Sequence, residues 1–298
     1  LKEPVYRRPS FFAMQNVYSF FDDDVKQVGV ETKTGDEKGV SMPGTLCTLW
    51  SGIDFAQRKG RQSRFLQKAV EDGVFTTPDL NWANVWDVGE GVGNGNLGHA
   101  FGLDGTDERS LTKAMVDARR RMGEFESFYK KYLKGYDDLR LIATAACLGV
   151  RESRRVVCDY TLTADDFLRR ASFPDEIGRY CYPVDIHPSS ADKTAYERHR
   201  AEFDRFYRYG KGESYGIPYR ILCAKGLRNL LVAGRCVSTD QKVQASIRVM
   251  PACYLTGQAA GFAAALAADG AGDVRGFPVA ALQRKLLEFG AWLPNFKG

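Results

Sequence analysis

The stretch NLLVAGRCVSTD, residues 229–240, decides how this chain is read. Its apolar run, Leu230–Ala233, passes without a break into Gly234 and Arg235. A short, continuous apolar run suits a strand buried on both faces, as parallel strands are. Open α/β sheets take their ligands just beyond the carboxyl ends of such strands. A glycine followed by an arginine at that end therefore marks a binding position. The stretch comes late in the chain, which raises the question of where the rest of the site lies.

The residues that follow, CVSTDQKVQASIRVMPACYLTGQAAGFAAALAA (236–268), extend the pattern. Pro251 suits the first helical position, where its missing N–H costs nothing. Gly257, Gly261 and Ala265 then recur at four-residue steps. Such a stripe of small residues lets a helix approach a strand or a ligand closely. The first N–H groups of this helix, around Val249–Cys253, form a positive end next to Arg248. That end suits an anionic or electron-rich group.

The bulk numbers set the frame. The chain has 298 residues, enough for one large domain or two ordinary ones. It is 44% hydrophobic and 27% charged, which sets disordered and low-complexity classes aside. A net charge of +5 is mild, and the basic clusters at 58–64, 118–121 and 151–155 sit among acids, so nucleic-acid binding is disfavoured. Seven scattered cysteines without a CxxC pair fit free thiols in a reducing, cytoplasmic compartment better than a disulfide framework or a zinc site. No metal-ligating pattern stands out. The longest apolar candidate, 252–268, is interrupted by Thr256, Gly257 and Gln258, so no membrane span is expected.

Along the chain, the first forty residues read as irregular. Strands are expected at 44–54 and 82–90, and one long helix over 110–133, where Leu111, Met115, Ala118, Met122, Phe125 and Tyr132 recur at helical spacing. Residues 139–150 suit a strand or a buried helix. Thr163 reads as an N-cap, with Asp165 and Asp166 in the turn after it. Alternation suggests a strand over 178–187, and 192–209 reads as a charged amphipathic helix. Adjacent strands at 216–225 and 229–235, then helices at 251–268 and 278–289, close the chain. GNGNLG (93–98) matches the G-x-G-x-x-G dinucleotide pattern by letter. That chemistry needs a helix to begin at the third glycine, and Gly102 and Gly105 delay any helix to about residue 110. The run therefore reads as a glycine-rich loop and not as a phosphate cradle.

The run NLLVAGRCVSTD…SIRVMPACYLTGQAAGFAAALA resembles the C-terminal signature of FAD-dependent oxidoreductases with the glutathione-reductase-type flavin fold. LGVRESRRVVCDYTLTADDFL (148–168), FPDEIGRYCYPVDIH (173–187) and YGIPYRILCAKGLRNLLVAGR (215–235) resemble successive blocks of that family in order. Weaker blocks lie at 42–54 and 102–121. The resemblance implies a mixed α/β fold. A mixed-sheet substrate domain would span 1–220, and 221–298 would hold the C-terminal strand and helix of a Rossmann-like FAD-binding domain. Gly234 and Arg235 would lie near the FAD pyrophosphate and ribityl chain. Ser246, Ile247, Arg248, Val249 and Met250 would face the N1–C2=O edge of the flavin ring. Arg151, Arg154, Tyr219, Arg220 and His187, the last in the Asp185-Ile186-His187 block, would serve a polar small-molecule substrate in hydride transfer. Arg151 and Arg154 have a plainer reading as ion-pair partners of Glu152 and Asp159, and His99 is a lesser candidate.

The family's opening strand–G-x-G-x-x-G–helix, which holds the ADP half of FAD, has no counterpart in these residues. Gln241 and Ala245 stand where the pattern expects a basic residue and a glycine. The expectation is a portion of an FAD enzyme, completed by an N-terminal FAD-binding domain or a partner chain and not retaining FAD tightly alone. The alternative is a catalytically silent binding or scaffold module. A metal-dependent hydrolase using Asp185, His187 and His99 is a weaker reading, because there are only three histidines in the whole chain.

Overall fold

The computed structural model describes residues 10–14, 29–80, 83–206 and 209–298. Its first elements in chain order are β1 (Ser10–Met14), β2 (Thr32–Thr34), β3 (Gly44–Ser51), α1 (Leu66–Glu71), β4 (Ala83–Gly89), β5 (Val92–Ala100), α2 (Glu108–Arg120), α3 (Met122–Tyr132) and β6 (Arg140–Thr144). Then come β7 (Arg154–Val156), α4 (Ala164–Leu168), β8 (Glu176–Tyr180), α5 (Lys193–Phe206), β9 (Tyr215–Pro218), β10 (Leu230–Gly234), α6 (Gln241–Ile247), α7 (Met250–Ala268) and α8 (Val279–Glu288). Helices mixed with mainly antiparallel sheets give the α/β class expected.

The chain divides into two compact units, one of residues 1–40, 152–186 and 202–298, the other of 41–151 and 187–201. This division by packing crosses the boundary at 220 expected from the sequence, because segments far apart in the chain pair with each other. In the first unit, β10 pairs in parallel with β1, register Ser10 to Leu230 through Met14 to Gly234. Residues 10–14 are thus a strand, and 32–34 another, paired antiparallel with β7. The expected irregularity of the first forty residues fails at both places; residues 1–9 and 15–28 lie outside the described set. SFFAM is too short to show a period, and its partner is 220 residues away.

All five residues of β10 are buried, as an apolar run between covered faces requires. The helix α7 packs on β10, β1 and β8. Gly178 permits the last of these contacts: a Cβ there would meet Leu255 Cδ1 at 2.3 Å. The end of β8 corrects the strand expected over 178–187, which stops at Tyr180 shortly before Pro183, a residue with no N–H to offer a ladder. Likewise 216–225 is a strand only to Pro218, and Tyr219–Ile221 is a 3-10 turn. Adjacency to β10 survives as one antiparallel bridge, Cys223 to Leu231. Thr163 caps α4 in a full capping box with Asp166.

The second unit is built on a four-stranded antiparallel sheet in the order β4-β5-β3-β6. One face carries a core of Trp50, Val85 and Leu97 against Phe125, Phe128 and Tyr129 of α3. The buried Gln62 links the sheet to the next layer: its Nε2 donates to Val85 O and to the Tyr136 hydroxyl, and its Oε1 accepts from Val85 N–H. The single helix expected over 110–133 is two, broken at Arg121, where ψ falls to −7°. The Arg121 side chain turns there to donate to the His99 carbonyl at 2.7 Å.

GNGNLG is not a loop. It lies inside β5, hydrogen-bonded to β3 on one side and β4 on the other. Its glycines make room for neighbours: a Cβ on Gly93 would sit 2.2 Å from Val85 Cγ1, and one on Gly95 would sit 2.5 Å from Thr48 Oγ1. Gly98, at φ +65°, lies in a register shift between the pairs Leu46–Leu97 and Gly44–Ala100. A bulge of this kind re-aims the next side chain, and that side chain is His99.

Candidate functional site

In the first unit the candidate site starts at the end of β10. Gly234 takes φ +73°, a conformation that only glycine adopts without strain. Its N–H donates to Thr256 Oγ1 at 3.0 Å, which ties the strand end to α7. Asp240 then caps α6 through Val243 N–H. Ser246 and Ile247 belong to α6. Ser246 is buried and donates to Tyr182 O at 2.6 Å, with the Tyr215 hydroxyl 2.9 Å away. Between α6 and α7 the axis bends by 91°.

Arg248 stands at that corner. Its Nη2 donates to the Asp185 carbonyl at 2.9 Å and to Asp185 Oδ2 at 3.1 Å. Its Nε is buried with no hydrogen-bond partner among the described residues. Val249 is the N-cap of α7 and supplies no side-chain cap, and Met250 is 65% exposed. The helix therefore opens with an uncapped positive end beside an arginine. Arg235 and Arg248 both act on Cys253, favouring its thiolate, although burial dominates and raises the thiol above its ordinary range. This end of the unit is cationic. Residues of this kind fit the electron-rich edge of a flavin ring: an orphaned buried N–H on Arg248 and a helix N-terminus without a side-chain cap.

Among the described residues no strand packs closely on the small-residue stripe at Gly257 and Gly261. Gly257 and Gly261 have nothing within 4 Å of where a Cβ would stand. The buried side of α7 is instead Ala252, Thr256, Ala259, Ala260, Ala263 and Ala267. Gln241, where a basic residue was expected, donates to Glu152 Oε1 at 2.9 Å and to Val40 O at 3.2 Å.

The substrate-side candidates are dispersed. Arg154 lies in β7. Its neighbour Arg155 pairs with Glu152 at 2.8 Å, and Asp159 pairs with Arg275 at 2.6 Å. Tyr219 is buried and donates its hydroxyl to Val274 O at 2.8 Å; burial raises its pKa. Arg220 binds Asp175 at 2.9 Å and lies over the Tyr160 ring.

In the second unit, Arg151 is buried and donates to Pro43 O at 2.6 Å and Thr45 Oγ1 at 2.8 Å. His187 is also here, 3% exposed, with its Nδ1 2.8 Å from His99 Nε2. The other ring nitrogen of His99 lies 3.2 Å from Asp79 Oδ1 and 3.1 Å from Oδ2. Asp79 also accepts the His99 backbone N–H at 2.8 Å and the Tyr196 hydroxyl at 2.5 Å. Burial lowers the pKa of His99, against the pull of Asp79, and Arg151 and Arg121 push the same way as burial. His99 is central to this cluster, and Asp79 and Tyr196 carry no sequence signal. No group of three or more His, Cys, Asp or Glu among the described residues could hold a metal ion. None of the seven cysteines is in a disulfide. Among the described residues no single helix is long and apolar enough to cross a membrane.

No curated protein and no solved structure matches the chain. The family model described as FAD dependent oxidoreductase matches residues 23–286, which include the β10 end, the α6–α7 corner and the histidine cluster. On that match the chain belongs to the FAD dependent oxidoreductases, and FAD is the cofactor of its family.

Proposed function

We propose that the chain takes part in hydride transfer from a polar small molecule to FAD, with β10 and the α6–α7 corner holding the flavin and His187 handling the substrate's proton. The observation that supports this most is Arg248, whose buried Nε has no partner among the described residues beside the uncapped start of α7. FAD supplies the two-electron acceptor at its ring. Arg248 and the start of α7 would hold the electron-rich edge of a bound flavin ring, where negative charge collects on reduction. Arg235 and the backbone of Gly234 are assigned to the pyrophosphate and ribityl chain, within a glutathione-reductase-type arrangement. Ser246, Ile247, Val249 and Met250 shape the ring edge. The ADP cradle is assigned to an N-terminal FAD-binding domain or partner chain, and the free cysteines suit a reducing compartment.

On the substrate side, His187 accepts the proton released with the hydride. Arg151 fixes the backbone around residues 43–45 near His99 and sets the local charge; Arg154 is assigned to anchoring an anionic substrate group. Tyr219 and Arg220, held by Val274 and Asp175, serve the fold in this reading. The test is anaerobic bleaching of the flavin in the FAD-loaded enzyme, using a panel of alcohols and amines. A compound that bleaches it fast with wild type and about 10²–10⁴-fold slower with His187→Gln is the expected result. Equal rates in the two proteins remove His187 from the chemistry.

A further inference from the structure

Asp79, His99 and His187 form a chain of polar side chains that is buried throughout, at 8%, 1% and 3% exposure. Hydrogen-bond logic fixes the protons along it. Both oxygens of Asp79 already receive donors, Oδ2 the His99 backbone N–H and Oδ1 the Tyr196 hydroxyl. The His99 Nδ1 facing those oxygens must carry a hydrogen to bond them. In the neutral ring, which burial favours, Nε2 of His99 is then an acceptor. His187 Nδ1, 2.8 Å away, must be the donor. A neutral His187 holding its hydrogen on Nδ1 has its lone pair on Nε2.

We infer that Asp79 and His99 are positioning residues that fix His187 as the Nδ1–H tautomer and so make its Nε2 the base for the substrate's proton. This rests on the proton-transfer role proposed for His187. The step balances simply. His187 Nε2 would take the substrate's X–H proton, and FAD, when bound, would supply the acceptor for the C–H hydride with its two electrons, so that a C=X double bond remains. Substrates are thus alcohols or amines, whose heteroatom bears the proton. The resulting imidazolium has its Nδ1–H aimed at His99, which passes the stabilising effect of Asp79 along the chain, as the carboxylate does for the histidine in a Ser-His-Asp triad. The groups that face His99 are Asp79, Tyr196, Arg151, Arg121 and His187. At His99 the two arginines oppose a cation and Asp79 favours it.

The geometry at Gly98 belongs to the same device. The bulge there turns His99 inward, and Arg121 holds the His99 carbonyl. Asp79 comes from the loop before β4 and Tyr196 from α5, so the ring is gripped from three segments of the second unit.

The experiment is nitrogen-15 NMR of uniformly labelled histidine in the intact protein, followed against pH. Three histidines give three ring systems to assign. Wild type is expected to show His187 and His99 both as Nδ1–H tautomers in the neutral range. In Asp79→Asn the midpoint of His187 protonation should move to lower pH, roughly tenfold in proton affinity. In Tyr196→Phe the tautomers should stay. A wild-type His187 with its hydrogen on Nε2 overturns the inference without any variant, as does a midpoint indifferent to Asp79→Asn in a folded protein. Because the spectra need neither substrate nor turnover, they are independent of the bleaching assay. An Nδ1–H His187 with unchanged bleaching in His187→Gln would leave the tautomer device standing and sink only the proton-transfer role.

Discussion

Two glycine-bearing strands of this chain look alike in sequence and do opposite things. In GNGNLG the glycines at 93 and 95 are filled from outside: Val85, Ile53, Phe55 and Thr48 press into the space a Cβ would need. The strand is antiparallel, flanked on both edges and backed by a core. In NLLVAGR the glycine comes at the end of a parallel strand, at φ +73°, tied by its N–H to the helix that follows after the α6–α7 corner. Letters alone favour the first as a nucleotide site. What separates them is what comes next: β5 runs on to a bulge and a buried histidine, whereas β10 runs on to an arginine corner and the start of a 19-residue helix.

The largest expected effect breaks the first strand and spares the second. Gly93→Val places branched atoms where Val85 Cγ1 already lies 2.2 Å from a Cβ position. Overpacking there should cost about 3 kcal/mol, read as a fall in the unfolding midpoint, while the folded fraction binds FAD as before. A well-tolerated Gly93→Val would mean the core is not packed as described. At Gly234 the expected balance is reversed. Gly234→Ala pays for φ +73° with strain of about 1–2 kcal/mol, and flavin affinity should fall with it. Loss of stability alone, with full affinity, would detach β10 from the cofactor.

The pH dependence sharpens the contrast from the histidine side. Burial lowers the folded pKa of His99 below its ordinary 6.5. In the window just below 6.5 the unfolded chain binds more protons than the folded one, so stability rises with pH there. As pH falls through that window, stability should be lost, and His99→Gln, which cannot titrate, should flatten that part of the profile. Denaturant midpoints taken between pH 7 and 5 measure it; an equal slope in both proteins would show that another group carries the dependence. The smallest effect belongs to α7. Gly257 has open space at its Cβ position, so Gly257→Ala should stabilise by roughly 0.5–1 kcal/mol through helix propensity. Destabilisation would reveal something packed on that stripe.

Much of this fold can be read from sequence where a local rule acts. Leu230–Gly234, Thr163 with Asp166, and the helices near 251–268 and 278–289 follow from apolar runs and caps. What escaped depends on distant partners. SFFAM is a strand because β10 lies beside it, and the 110–133 helix breaks where Arg121 reaches for a carbonyl of β5. The strand end at Gly234 and the helix start near Pro251 can be read locally, because glycine, arginine and proline lie close together in the chain. The histidine cluster cannot: Asp79, His99, His187 and Tyr196 are joined only by folding, and a lone histidine in sequence does not announce its carboxylate.

The flavin itself gives the most direct measurement of the difference between the two strands. Its midpoint potential in the FAD-loaded enzyme should fall in Arg248→Gln, by about 30 mV for each tenfold loss in preference for the reduced ring. Arg248→Lys should restore part of it, and Gly93→Ala should leave it unchanged. A potential that ignores Arg248 and responds to Gly93 would place the flavin against the wrong strand and contradict the assignment of β10 and the α6–α7 corner.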